Sequence, residues 1–123
     1  MTIKRRLVGQ AGEKLACAYL EEQGYRIIET NYRCPLGEID IIASDQGTVV
    51  LVEVRTRTGS SYGGPEESIN AEKAHRLRRL ALYYLKSISE KELPCRIDLI
   101  AVMLNRNSHD LENLHHIRGI LAG

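Results

Sequence analysis

The amino-acid sequence predicts an α/β protein with a central mixed sheet flanked by helices, in the order αβββαβ with room for one further strand. Two segments repeat apolar residues at helical spacing, and shorter segments rich in Ile and Val lie between turn signals. One of these, Val49-Val50-Leu51-Val52, is apolar at every position, the mark of a strand covered on both faces.

In chain order, Ala11, Leu15, Ala18 and Tyr19 predict a helix over residues 7–23, which Gly24 stops. β-Type residues including Ile27 and Ile28 predict a strand over residues 25–31, followed by the turn signal Cys34-Pro35-Leu36-Gly37. Strands over residues 38–43 and 48–57 flank the hairpin-type turn Asp45-Gln46-Gly47, so they should run antiparallel. Three Gly and two Ser within residues 58–65 predict an exposed loop. Leu77, Leu80, Ala81, Tyr84, Leu85 and Ile88 form the apolar stripe of a second helix, starting near Glu66 or Asn70 and ending near Ser87. Pro94 precedes a fourth strand over residues 96–103. Reached through a helix, that strand can lie parallel to the third. Residues 105–110 read as a polar loop, and residues 114–120 as a short final strand.

The length of 123 residues fits a single domain, residues 1–123. An apolar fraction of 43% excludes a disordered chain, and with no Phe or Trp the core must rest on Leu, Ile, Val, Ala and six Tyr. The formal net charge of +1 does not by itself announce a nucleic-acid binder. Its distribution says more: Lys4-Arg5-Arg6, Arg55 with Arg57, and Lys73, Arg76, Arg78 and Arg79 are local basic patches that can hold phosphate. Any one of them taken alone reads better as a solvated face. Cys17, Cys34 and Cys95 cannot all pair within one chain and form no C-x-x-C, so reduced thiols in a cytoplasmic protein are expected and zinc is not. No apolar run approaches the roughly 18 residues of a membrane span. The basic start is followed by Gln10, Glu13 and Lys14, which is not a signal-peptide core.

The chemistry gathers around two acids. Asp40 sits among Ile39, Ile41 and Ile42, and Asp is disfavoured in strands. Glu53 and Arg55 break the apolar third strand and share one of its faces, at the strand's end. Burying such charges is costly unless they pair or bind something, and a Glu53–Arg55 salt bridge at a sheet edge is the plain alternative. Across a hairpin turning at residues 45–47, partners have numbers summing to about 93, as Asp40 and Glu53 do. Two carboxylates that close either share a proton at a raised pKa or hold a cation. Magnesium suits the second case, since it takes one or two carboxylates and keeps other positions for water and phosphate. Metal, acid and basic groups together are what phosphodiester hydrolysis needs. Glu13, beside the small residues Gly12 and Ala16, and Lys73, at the start of the second helix, could complete the site. From the residues alone each reads as a solvated helix position. His115-His116 points to opposite strand faces, a poor metal site, and Asp98 reads as a structural partner for an Arg.

The series Gly12-Glu13, Ala16, Tyr19-Leu20, Gly24-Tyr25, Asn31-Tyr32-Arg33, Gly37-Glu38-Ile39-Asp40-Ile41-Ile42 and Val52-Glu53-Val54-Arg55-Thr56-Arg57 resembles the YraN-like family of small bacterial proteins. Gly64-Pro65, Lys73, Tyr84-Leu85 and Arg96-Ile97-Asp98 extend the resemblance over almost the whole chain. That family is similar to the PD-(D/E)xK nuclease superfamily, and within it to archaeal Holliday-junction resolvases. The resemblance implies a restriction-endonuclease-like core, with the metal acids at Asp40 and Glu53, the helix acid at Glu13 and the motif lysine replaced by Arg55. Lysine can lose a proton, whereas Arg is effectively never deprotonated, so Arg55 can bind a phosphate oxygen but cannot activate water as a base. The expected function is a magnesium- or manganese-dependent endonuclease acting on structured or branched DNA. Glu13 would support the metal or its water, Arg55 would bind the scissile phosphate, and Arg57, Lys73 and Arg76 would hold the backbone. The rival is a non-catalytic nucleic-acid-binding or adaptor protein on a retained nuclease fold. A homodimer is compatible with either.

Overall fold

The computed structural model describes residues 3–59 and 69–121. Residues 60–68, which hold most of the Gly/Ser-rich stretch and Gly64-Pro65, lie outside the described residues. The elements are α1 (Ile3–Glu22), β1 (Arg26–Cys34), β2 (Gly37–Asp45), β3 (Thr48–Thr58), α2 (Ala71–Ile88), β4 (Cys95–Leu104) and β5 (Leu111–Ile117). The strands form one sheet in the order β1-β2-β3-β4-β5. Every neighbouring pair is antiparallel except β3 and β4, which run parallel and are joined through α2. This is the expected mixed α/β sheet with its additional last strand, a restriction-endonuclease-like core.

Local chemistry sets the boundaries. Helix α1 starts at Ile3 rather than residue 7, because Lys4-Arg5-Arg6 are good helix formers that carry it outward. It ends in a Schellman arrangement: Tyr25 N–H donates to the Leu20 carbonyl (2.9 Å) and Gly24 N–H to that of Glu21 (3.0 Å), with Gly24 at φ +91°. Asn70 caps α2, its side chain accepting the Lys73 N–H at 2.8 Å, which resolves the helix start in favour of Asn70. Strand β5 lies three residues earlier than expected. It stops at Ile117 because Gly119 turns away at φ +60° and donates its N–H to Asp98 (3.0 Å). Among the described residues no helix is long and apolar enough to cross a membrane.

The two helices cover opposite faces of the sheet. Ala16 and Leu20 of α1 pack with Ile41, Val50, Val52 and Ile100. Leu77, Leu80 and Tyr84 of α2 pack with Ile42, Val49, Leu51 and Ile97. The run Val49-Val50-Leu51-Val52 alternates between these two clusters and is buried throughout, as its composition required. Helix α1 lies so close to β3 that a Cβ at Gly12 would collide with the Thr56 side chain. That approach brings Glu13 toward the sheet.

Candidate functional site

Gln46 and Gly47, at φ +50° and +89°, form the tight turn that sets the β2–β3 register. Asp45 pairs with Thr48, Ile42 with Leu51 and Ile41 with Val52, so the expected register holds. The next step would pair Asp40 with Glu53, but the ladder ends before it. Instead, Asp40 Oδ2 accepts the Val54 N–H at 2.8 Å, a side chain standing where a strand carbonyl would. Ile39 and Ile41, two positions apart, pack in opposite clusters, so the regular alternation of β2 breaks at Asp40. Across from it, Asn31 takes the left-handed conformation at φ +54°. Glu53 therefore does not sit at the end of β3, which continues to Thr58. It sits mid-strand, at the point where β2 parts from β3 and only β4 continues alongside.

Cations surround Glu53. Lys73 Nζ lies 2.7 Å from Glu53 Oε1, with side-chain exposures of only 13% and 14%. The Asn70 cap aims the first turn of α2 at this carboxylate. Arg55 Nη2 is 3.7 Å from the same oxygen, so the anticipated Glu53–Arg55 pair exists but Lys73 is the closer partner. Among the described residues, Arg55 Nε is the one buried side-chain nitrogen or oxygen without a hydrogen-bond partner.

Asp40 and Glu53 line a common cavity of about 300 Å³ together with Glu38, Arg76, Leu36, Leu77 and Leu80. Burial pushes the Asp40 carboxyl up to about 7, the neighbouring Glu53 charge adds to the shift, and the Val54 N–H pulls the other way. Burial also raises Glu53, while Arg55 and Arg76 oppose it. By proximity the Lys73 ammonium favours the ionised Glu53. Among the described residues no cation lies within ion-pair distance of Asp40. Glu13 is raised by burial, offset by Asn31, and its charge in turn raises Asp40. The fold thus brings together Asp40, Glu53, Arg55, Lys73 and Arg76, with Glu13 nearby from α1. Arg57 is exposed farther along β3.

The model of the Uncharacterised protein family UPF0102 matches residues 12–102, a span that holds all of these side chains. The chain belongs to this family. UPF0102, the YraN family, includes a Moorella thermoacetica protein 53% identical to this chain, covering 86% of it and 88% of the relative. A UPF0102 protein of Desulforamulus reducens is 44% identical and covers 98% of this chain and 100% of the relative. One from Desulfitobacterium hafniense is 45% identical, with the same coverage of 98% and 100%.

The donor set of this UPF0102 chain fits a hard divalent cation. Two carboxylates meet in one cavity, and Asp40 Oδ1 and Glu53 Oε2 accept no hydrogen bond from a described residue. Among the described residues no three Asp, Glu, His or Cys gather as a full cage. Glu13 thus stands off from direct ligation with the pair. Two carboxylates without a cage suit magnesium, which retains waters. The other strand acid, Asp98, is fully buried and satisfied: Arg96 Nε at 3.0 Å, Gly119 N at 3.0 Å and His116 Nε2 at 2.8 Å surround it. His116 also faces the Tyr19 hydroxyl at 3.0 Å through Nδ1. Asp98 is structural, and the sequence pointed to its Arg partner but not to His116. The direct Lys73–Glu53 pair and the apolar wall of the cavity were also missed. The Asn70 capping signal, three residues before Lys73, was the available clue to the former.

Proposed function

We propose that this protein binds nucleic acid at Asp40 and Glu53 and acts there, in the cytoplasm, as a magnesium- or manganese-dependent endonuclease on structured or branched DNA. The observation that carries this reading is the carboxylate pair itself. Two half-buried acids are held together where β2 and β3 part, and one of them, Asp40, is pushed up to about 7. Asp40 and Glu53 would hold the ion, which when bound lowers the pKa of a water and polarises a phosphoryl oxygen. Arg55, its side chain 36% exposed beside Glu53, would offer a guanidinium N–H to a phosphate oxygen and, never deprotonated, would stabilise charge without acting as the base. Lys73 keeps Glu53 ionised and oriented. Glu13 supports the acids from α1, and Arg76 and Arg57 follow the backbone. The preference for branched DNA rests on the resemblance to Holliday-junction resolvases.

One observation favours a second reading, a non-catalytic nucleic-acid-binding or adaptor protein. Lys73 already neutralises Glu53 at 2.7 Å, which relieves part of the need for a metal. A cleavage assay with magnesium or manganese on duplex, forked, four-way and single-stranded substrates separates the two. Metal-dependent cleavage that disappears in Asp40→Ala supports the nuclease. Metal-independent binding without cleavage supports the adaptor, and no binding at low salt removes both.

A further inference from the structure

The sheet face that carries Glu53 extends past the part that α2 covers. Side chains on a strand repeat their direction every second residue, so Leu51, beneath α2, puts Glu53, Arg55 and Arg57 on its own face. The pairing carries that face outward. Arg55 stands opposite Ala101 and Ala101 opposite His115, while Arg57 stands opposite Met103 and Met103 opposite Asn113. His116 turns the other way, to the Tyr19 hydroxyl of α1, which leaves His115 on the face of Arg55. None of these six paired residues belongs to the apolar cluster beneath α2, and Arg57, Asn113 and His115 are exposed. The small Ala101 leaves a low point between Arg55 and His115, which stand two strand spacings, or about 10 Å, apart. Arg106 adds a cation where β3 ends: its guanidinium lies against Gly59, where a Cβ would come within 2.8 Å of Nη2. Past Glu53, the other acids of β3, β4 and β5 are Asp98, on the α1 side, and Glu112, which accepts a hydrogen bond from Asn105 Nδ2 at 2.9 Å.

Cations spaced along one sheet face with no acid between them complement a polyanion. We propose that this face seats a nucleic-acid strand that leaves the phosphate at Asp40 and Glu53 and crosses β3, β4 and β5 along Arg55, Ala101 and His115, with His115 and Arg57 as phosphate ligands. This rests on the reading of the carboxylate pair as a phosphate site, and it adds β5, which that reading does not use, to the binding surface. An imidazole N–H donates to a phosphate oxygen whichever tautomer the ring adopts. Ala101 and Met103 carry no side-chain N–H or O–H to read a base edge, so the contact follows the backbone and conveys no sequence preference. A merely solvated histidine on an outer strand would be indifferent to the charge that replaces it, and this gives the test its form.

The test is a fluorescence-anisotropy titration of dye-labelled forked DNA, which offers duplex and single strands together, at low salt in EDTA, which prevents cleavage. His115→Glu puts an acid into the row and should weaken binding about fivefold or more. His115→Lys puts a fixed cation there; it should tighten binding and steepen the fall of log affinity with log salt by about 1. Gln23→Glu makes the same charge change as His115→Glu at an exposed position just past the end of α1, on the opposite side of the sheet, and should stay within about twofold of wild type. The His115 effects should be equal on two forks of unrelated sequence. Position 115 is exposed on an outer strand, so these variants should fold, and thermal melts check that they do. If His115→Glu binds as tightly as Gln23→Glu, the strand does not cross β5, and the phosphate site is left standing. A loss confined to one of the two sequences overturns the backbone contact. A dimer of wild type that His115→Glu breaks up, with DNA affinity unchanged, makes a second copy of the chain the occupant of this face and overturns the proposal. Failure of wild type to bind the forks at low salt overturns the phosphate site and the crossing together.

Discussion

Replacing Asp40 with Asn should make the protein more stable, because the wild-type carboxylate is held in a place that suits its neutral form. Its pKa rises from 3.8 to about 7, through burial first and then through the Glu53 charge. Between about pH 4 and 7 the folded state keeps a proton that the unfolded chain has lost, so this group makes stability fall as pH rises. A shift of about 3 units corresponds to at most about 4 kcal/mol. The side chain is partly exposed, and solvent screening reduces this to about 1–2 kcal/mol. Asn is nearly isosteric, and its carbonyl oxygen can still accept the Val54 N–H that Asp40 Oδ2 accepts at 2.8 Å. At about pH 8 Asp40→Asn should therefore gain about 1–2 kcal/mol, or roughly 3–10 °C in Tm, and near pH 4 it should match wild type within about 0.5 kcal/mol. Urea melts of both proteins at both pH values measure this. Taking the difference between the two proteins largely removes the contributions of Glu13 and Glu53, whose pKa values are also raised. Magnesium should raise the stability of wild type at about pH 8 and leave the variant unchanged. A variant less stable than wild type at that pH would make Asp40 a structural residue and refute the reasoning. An equal magnesium response in both proteins would rule out this metal site.

Arg55→Lys should retain or increase cleavage, and Arg55→Ala should lower the rate more than the DNA affinity, because the lost charge matters most at the transition state; single-turnover kinetics beside binding titrations distinguish the two effects. Lys73→Ala and Arg76→Ala should weaken DNA binding about equally for all sequences and reduce the slope of log affinity against log salt by about 1 each, as read from titrations at several salt concentrations. Asp98→Ala should cost about 3–5 kcal/mol in a urea melt, because Arg96 and His116 lose their buried partner. A loss below about 1 kcal/mol would contradict the structural role.

Much of the fold was legible because the decisive signals are local. The turn at Gln46-Gly47 fixes a register that simple counting recovers, and counting placed Asp40 against Glu53. The unbroken apolar run on β3 announced a strand covered twice, and α1 and α2 do cover it. What was not legible depends on how elements meet. Lys73 reads as a solvated helix residue until the first turn of α2 is set down beside β3, on the far side of residues 60–68. The parting of β2 from β3 arises from one side chain capturing a backbone N–H, which no periodicity encodes. The end of β5 was misplaced because Gly119 is drawn to Asp98, 21 residues earlier in sequence.

Asp40 and Asp98 show why an acid inside a strand is an ambiguous signal. Both follow an isoleucine and precede an aliphatic pair, Ile41-Ile42 and Leu99-Ile100, so the sequence around them is nearly interchangeable. Asp98 shares the α1 face with Ile100, and there an Arg, a His and a backbone N–H compensate it. Burial pushes its carboxyl up, but these partners outweigh it and hold the pKa below the ordinary value. Its contribution to stability is therefore present above about pH 4 and is lost as pH falls. Asp40 has one backbone donor and faces a second carboxylate, so its contribution has the opposite sign and grows more unfavourable as pH rises. A fold that compensates one strand acid fully has no physical need to leave another one uncompensated. A proton removes the cost at Asp40 at low pH, and a cation bound beside Glu53 would remove it at high pH. On the proposed reading a divalent cation takes that place.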